Sequence, residues 1–248
     1  MRSLTLLLVA GFTLASVPVH AQTRHHTYVI VHGAWGGGWD WRAVDSMLSR
    51  DGNRVVRVTL TGQGERVHLA SPNIGLSTHI DDVVNTILWD KLTDVVLVGH
   101  SYGGMVVTGV VDRIPGRIRR VVYLDAFLPE SGETALGLAD SSRLSFLRSA
   151  VRDGMIVPPW VTDTLAVPRD VPQSLRTFTD TLRLVNPAAR NVPGTFILTV
   201  EAKVQPDPFQ PFADRAAARG WPVYTIQSDH NAQRSARGPL VALLEKVP

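Results

Sequence analysis

Short apolar runs alternate with amphipathic stretches along most of this chain. Residues 28–31, 54–60, 94–98, 119–124, 194–200 and 222–226 form β-branched or otherwise largely apolar segments bounded by turn residues, and segments of that length and character predict strands. Val95, Val96, Leu97 and Val98 run without a polar interruption, as expected for a central parallel strand covered on both faces. Between these runs the period lengthens. Residues 39–48, 104–111 and 238–246 read as helices. The clearest helix is marked by Ile80, Val83, Val84, Ile87 and Leu88 on one apolar face, with Thr78 and Asp81 three apart like a capping box. A Gly-, Ser-, Pro- and Asn-rich loop is expected over 61–77. Strands alternating with helices imply an α/β fold: a mostly parallel, doubly wound sheet covered on both faces.

Two segments depart from that rhythm. Residues 129–193 carry no convincing strand but show helical patterning around 134–151 and 171–184. This stretch is long for a single crossover, so a small helical cap, inserted after the strand that ends near Asp125, is expected. Residues 1–21 differ in kind. Arg2 supplies a positive start, an apolar stretch of about a dozen residues follows, and Val19-His20-Ala21 is a small-x-small cleavage pattern. The apolar stretch is shorter than the roughly 20 residues that span a bilayer. The expectation is a signal peptide over 1–21 cleaved after Ala21, export to the periplasm or the exterior, one hydrolytic domain over 22–248, and no stable membrane insertion once the signal is removed.

Composition narrows the field. With 248 residues, 44% hydrophobic and 19% charged, the chain can bury a substantial core. The net charge is +3 and the basic residues are scattered, so the continuous basic stripe that nucleic-acid binding requires is missing. There is no cysteine. Disulfides, a cysteine nucleophile and thiolate metal sites are thereby excluded. The histidines are dispersed, no metal-ligand pattern is visible, and no cofactor is implied.

The candidate chemistry begins at Gly99-His100-Ser101-Tyr102-Gly103, a G-x-S-x-G between a buried strand and an apolar helix. Such a turn holds its serine in a strained conformation with the hydroxyl exposed. Glycine at 99 and 103 removes side chains that would clash there. A serine needs a base to take its proton. His230 follows the last strand at the sheet edge where Ser101 also lies, and is the candidate; His32 reads as structural, and His100 reads as pointing away from the site. The acid is open among Asp125, directly after an apolar strand, and Glu201 or Asp207 after the penultimate one, with Asp125 favoured because a buried carboxylate there needs a cationic or donor partner. Developing oxyanion charge calls for two backbone donors. The amides of Tyr102 and Ala34 are best placed. Gly36-Gly37-Gly38 is no phosphate loop, because no Gly-Lys-Ser/Thr follows. Trp35 and Trp160 are candidates for lining a substrate pocket, and Asp81-Asp82 reads as a solvated helix start.

His32-Gly33-Ala34-Trp35, Gly99-His100-Ser101-Tyr102-Gly103-Gly104 and Asp229-His230 together resemble the α/β-hydrolase superfamily, and within it the branch of plant methyl esterases and hydroxynitrile lyases with its bacterial esterase relatives. The resemblance extends over nearly the whole chain after residue 21 and is weakest through the cap. It implies the fold named above and an acyl-transfer enzyme. In the plant members the acid follows the penultimate strand, where Ala202 stands here; that departure strengthens Asp125, whose Leu124-Asp125-Ala126-Phe127-Leu128-Pro129 setting resembles the bacterial relatives. The lyases carry lysine directly after the histidine, and Asn231 here argues against lyase chemistry. Serine at 101 argues against relatives that use an aspartate nucleophile. The expected function is hydrolysis of small short-acyl or aromatic esters. Lactonase or amidase action with the same residues, or non-catalytic ligand binding on the same scaffold, are the alternatives.

Overall fold

The computed structural model describes residues 25–201 and 207–247. The signal sequence expected over 1–21, and Ala202, lie outside these residues. In chain order the principal elements are β1 (Thr27–Val31), α1 (Arg42–Arg50), β2 (Arg54–Val58), α2 (Leu76–Trp89), β3 (Val95–His100), α3 (Gly103–Arg113), β4 (Ile118–Leu124) and α4 (Ser141–Ala150). Three two-residue strands follow: β5 (Val151–Arg152), β6 (Met155–Ile156) and β7 (Gln173–Ser174). The chain continues with α5 (Arg176–Thr179), β8 (Gly194–Val200), α6 (Gln210–Ala218), β9 (Val223–Gln227), α7 (Ala232–Ser235) and α8 (Arg237–Lys246).

Six strands form one sheet in the order β2-β1-β3-β4-β8-β9, and every pairing in it is parallel. All strand carboxyl ends therefore share one edge. Successive strand residues face opposite sides, and both sides are covered. Val29, Val31, Leu97, Tyr123 and Phe196 pack with α2, α3 and α6 in one cluster, whereas Tyr28, Ile30, Val96, Val98, Val122, Leu124 and Ile197 pack with α1 and α8 in another. Burial on both faces explains why the central strands read as unbroken apolar runs rather than alternating ones.

Three local expectations change. The 129–193 segment is not purely helical: β5, β6 and β7 make a small antiparallel sheet within it. Its helices shrink to α4 and the single turn of α5, because strands two residues long leave no periodic trace in a sequence. At α2, Thr78 lies inside the helix. The N-cap is Gly75, which makes no side-chain cap, and the Leu76 amide donates instead to Asp180 Oδ2 at 3.1 Å. Asp82 is not solvated. It accepts from both the amide and the hydroxyl of Thr61, each at 2.7 Å, tying the helix to the loop after β2.

Candidate active site

Ser101 leaves β3 with φ of 54°, a left-handed conformation that a residue with a Cβ adopts only under constraint. Its amide donates to the Leu124 carbonyl at 3.2 Å, and its own carbonyl accepts the amides of Gly104 and Phe127, both at 3.1 Å. The flanking glycines are required by space. A Cβ at Gly99 would lie 2.7 Å from Val107 Cγ2, and one at Gly103 would lie 2.8 Å from the Val31 carbonyl oxygen. The turn can therefore sit tightly between β1 and α3. Gly33 obeys the same logic, because its Cβ would lie 2.9 Å from His100 Nδ1 and 3.1 Å from Ser101 Cβ. The loop after β1 is thus pressed against Ser101.

His230 lies between β9 and α7. Its Nδ1 is 2.6 Å from Asp125 Oδ2. Asp125 follows β4 with φ of 43° and is almost fully buried. Its Oδ1 accepts the Thr199 amide at 3.1 Å, and its own amide donates to the Ile197 carbonyl at 2.8 Å. The carboxylate therefore has both oxygens satisfied and one orientation. With Nδ1 donating to it, His230 Nε2 is left as an acceptor. Among the described residues neither Glu201 nor Asp207 touches this imidazole. Glu201 is exposed at the end of β8, and Asp207 accepts the Phe209 amide at 2.8 Å.

His100 has a role that the sequence did not display. Its Nε2 donates to the His230 carbonyl at 2.9 Å, and the two rings lie 4.7 Å apart. It is buried, and burial pushes its pKa down to about 3 with the neighbouring His230 adding to the fall. It thus stays neutral and holds the His230 backbone from below. Phe209 stacks on the His230 ring at 4.9 Å and 8°, a second contact with no signature in the sequence. His32 is structural, as expected: Nδ1 donates to the Gly33 carbonyl at 2.7 Å, and Nε2 accepts the Leu60 amide at 3.1 Å. Burial lowers its pKa and also pushes that of His79 down to about 4. His79 links the Tyr102 hydroxyl at 3.0 Å to the Thr61 carbonyl at 3.1 Å.

The amides of Ala34 and Tyr102 donate to no protein acceptor among the described residues. The next amide along, Trp35, is taken: it donates to Gln173 Oε1 at 2.9 Å, while the Trp35 carbonyl accepts the Val171 amide at 2.9 Å. Trp35 thereby joins the loop after β1 to the 129–193 segment. Its ring meets Phe146 at 5.9 Å, Trp160 at 5.3 Å and Phe178 at 6.0 Å. Trp160 is half exposed and donates from Nε1 to Asp170 at 2.8 Å. Trp41, by contrast, is core. A cleft of about 690 Å³ opens elsewhere, lined by Asp112, Tyr123, Arg190 and Trp221 among others, and none of the residues above faces it. Among the described residues no His, Cys, Asp and Glu cluster could hold a metal ion, and no helix is long and apolar enough to cross a membrane.

This arrangement, a serine on a strained strand-to-helix turn with a carboxylate-held histidine at the same sheet edge, can be compared with known proteins. The model of the alpha/beta hydrolase family matches residues 28–243. The chain belongs to the alpha/beta hydrolase family. It is 38% identical over 224 residues to a carbendazim-hydrolysing esterase of Nocardioides sp. (strain SG-4G), covering 82% of this chain and 92% of that one. A pFDCC methylesterase of Arabidopsis thaliana is 28% identical over 257 residues, covering 88% and 92%. Among solved structures, an extracellular alpha/beta-hydrolase from a Paenibacillus species, described as homologous to tobacco salicylic acid binding protein 2, superposes with a TM-score of 0.75 at 25% identity, covering 89% and 98%. The hydrolase is accordingly an enzyme of the esterase type.

Proposed function

We propose that this hydrolase cleaves small carboxylic esters through an acyl-enzyme formed on Ser101. Ser101 Oγ attacks the carbonyl carbon while its proton passes to His230 Nε2, and Asp125 holds the imidazole and stabilises the imidazolium. The amides of Ala34 and Tyr102 receive the oxyanion, reinforced by the amino end of α3. The ester C–O bond then breaks, and the alcohol leaves with the proton from His230. Water repeats the sequence at the acyl carbon, giving the acid and restoring Ser101. The observation that carries this reading is the 2.6 Å contact between His230 Nδ1 and Asp125 Oδ2 beside a serine with φ of 54°.

The 129–193 segment acts as the cap over this edge, and the aromatic group of Trp35, Phe146, Trp160 and Phe178 favours compact or aromatic esters. The relatives named for carbendazim and methyl-ester hydrolysis agree with small substrates. Export through residues 1–21, with cleavage after Ala21, belongs to the same proposal. The test is hydrolysis of short p-nitrophenyl esters, lactones and anilides by the purified protein, alongside fluorophosphonate labelling. Ester turnover with label on Ser101 supports the reading. An unlabelled, inert protein that binds such esters would replace it with a binding function.

A further inference from the structure

Arg143, near the start of α4, stands where the proposed mechanism assigns nothing. Its guanidinium lies 4.6 Å from the Phe209 ring centre and 5.8 Å from that of Phe127. The Phe209 ring touches the proposed base directly, and Phe127 is joined to Ser101 through its backbone. Phe209 stacks on the His230 imidazole, and the Phe127 amide donates to the Ser101 carbonyl. Both phenylalanines are buried, and the Phe209 ring contacts both the guanidinium and the His230 imidazole. It is largely withdrawn from water, and burial lowers its pKa; Asp140, Asp125 and Asp207 oppose that fall from a distance. A guanidinium keeps its charge in a protein and offers five N–H donors. Yet among the described residues it has no hydrogen-bond acceptor and no ion-pair partner. Asp140, at the start of the same helix, accepts the Arg143 amide at 2.9 Å and the Ser142 hydroxyl at 2.5 Å, both on Oδ1.

Other arginines of the structure are paired. Arg215 is bound to Glu133 and the Leu128 carbonyl, and Arg234 to Asp40. Two aromatic faces compensate part of the cost of withdrawing a cation from water, but they leave its planar donor edge empty. That edge matches the geometry of a carboxylate.

We propose that Arg143 is the specificity determinant of this site, receiving a free carboxylate carried by the substrate, so that the preferred substrates are monoesters of dicarboxylic acids. The inference rests on the esterase reading above and names its substrate class. Ser101 attacks the esterified carbonyl, the alcohol departs with the proton from His230 and water then frees the acyl group from Ser101, as already described, while the second carboxylate stays intact on Arg143.

The experiment compares monomethyl with dimethyl succinate, glutarate and adipate, for the wild type and for Arg143→Gln and Arg143→Lys, by kcat/KM. The wild type favours at least one monoester over its neutral diester, and added salt narrows the preference. Arg143→Gln lowers that monoester-to-diester ratio by roughly 10- to 100-fold, the range of a hydrogen bond to a charged group, and Arg143→Lys falls between. A wild type that prefers every neutral diester overturns the proposal, as does a ratio unmoved by Arg143→Gln. Calorimetric titration with glutarate reads the anchor without turnover: binding by the wild type and by Arg143→Lys but not by Arg143→Gln is expected, and absence of binding by the wild type overturns it. Absence of ester turnover with glutarate bound through Arg143 would sink the esterase reading and leave the anion site standing. Matching thermal melts check that each variant is folded; if Arg143→Gln is not, the lysine variant and the salt dependence decide.

Discussion

At the carboxyl edge of the sheet, Ser101 and Asp125 extend from strands paired with neighbours on both sides, and the loop bearing His230 from the edge strand β9, paired with β8. In the 129–193 segment, order comes from other sources: two-residue strands, side chains bonded to backbone such as Gln173 to Trp35, and rings packed against rings. The sheet edge holds His230 Nδ1 2.6 Å from Asp125 Oδ2, the fixed geometry that proton transfer in the proposed mechanism calls for. The segment above it packs Phe146, Trp160 and Phe178 on Trp35 and carries Arg143, residues that we propose recognise a substrate rather than transform it. In the proposed reading chemistry rests on the sheet edge and selectivity on the segment above it, a division that lets one scaffold serve many substrates.

That division can be broken most decisively on the sheet side. Ser101→Ala should lower kcat by roughly 10⁴-fold or more, and Asp125→Asn by a comparable factor, about 10⁴-fold, through loss of the donor–acceptor match at His230 Nδ1. Glu201→Gln should change the rate little, and steady-state kinetics on a p-nitrophenyl ester separates the three. A rate for Glu201→Gln as poor as that for Asp125→Asn would move the acid to the other strand. Gly103→Ala comes next. Its Cβ would press on the backbone carbonyls of Val31 and His32 at 2.8 and 2.9 Å, which cannot swing aside. A destabilisation of about 1–3 kcal/mol, read as a Tm drop of several degrees, is expected.

A third effect is shared by the buried imidazoles under the sheet edge. Burial holds His100 near 3 and His79 near 4 when folded, against 6.5 for a free imidazole. As pH falls the unfolded chain binds these protons first. Stability is therefore complete above about pH 6.5 and declines below it, at up to about 1.4 kcal/mol per pH unit for each imidazole, until the folded values are reached. Thermal melts from neutral pH toward pH 4 measure the slope; a flat profile would mean that these histidines are not buried as neutral groups. The smallest effect belongs to the upper region. Trp160 is half exposed, so Trp160→Ala should raise KM for aromatic esters a few-fold while stability changes by less than about 1 kcal/mol. A large fall in kcat with unchanged KM would show the segment shaping the chemistry as well as the binding.

Legibility followed the same boundary. Apolar runs predicted each strand of the large sheet to within a residue or two, most clearly the central ones, because strands buried on both faces must be apolar throughout. The glycines around Ser101 signalled their own turn. His230 and Asp125 were candidates by position after strands, and their contact agrees with the preference for Asp125 over Glu201 and Asp207. Elsewhere, local grammar gave way to distant partners. The cap of α2 comes from Asp180, not from Thr78 and Asp81. Asp82, expected in solvent, is spent on Thr61. His100, expected to point away, grips the His230 backbone. β5, β6 and β7 are too short to leave a period, and nothing around Phe209 or Arg143 announces what they stack against.

The sequence by itself determined the α/β class and marked Ser101, Asp125 and His230 as candidates in that chain order, because these depend on side-chain periodicity and on backbone conformations that only particular residues adopt. Only the tertiary structure decided which carboxylate meets His230, and which amides and which arginine lack a partner among the described residues. Those properties depend on groups far apart in the chain, whose distances are set by parallel crossovers and by desolvation, neither of which is written in any local stretch of residues.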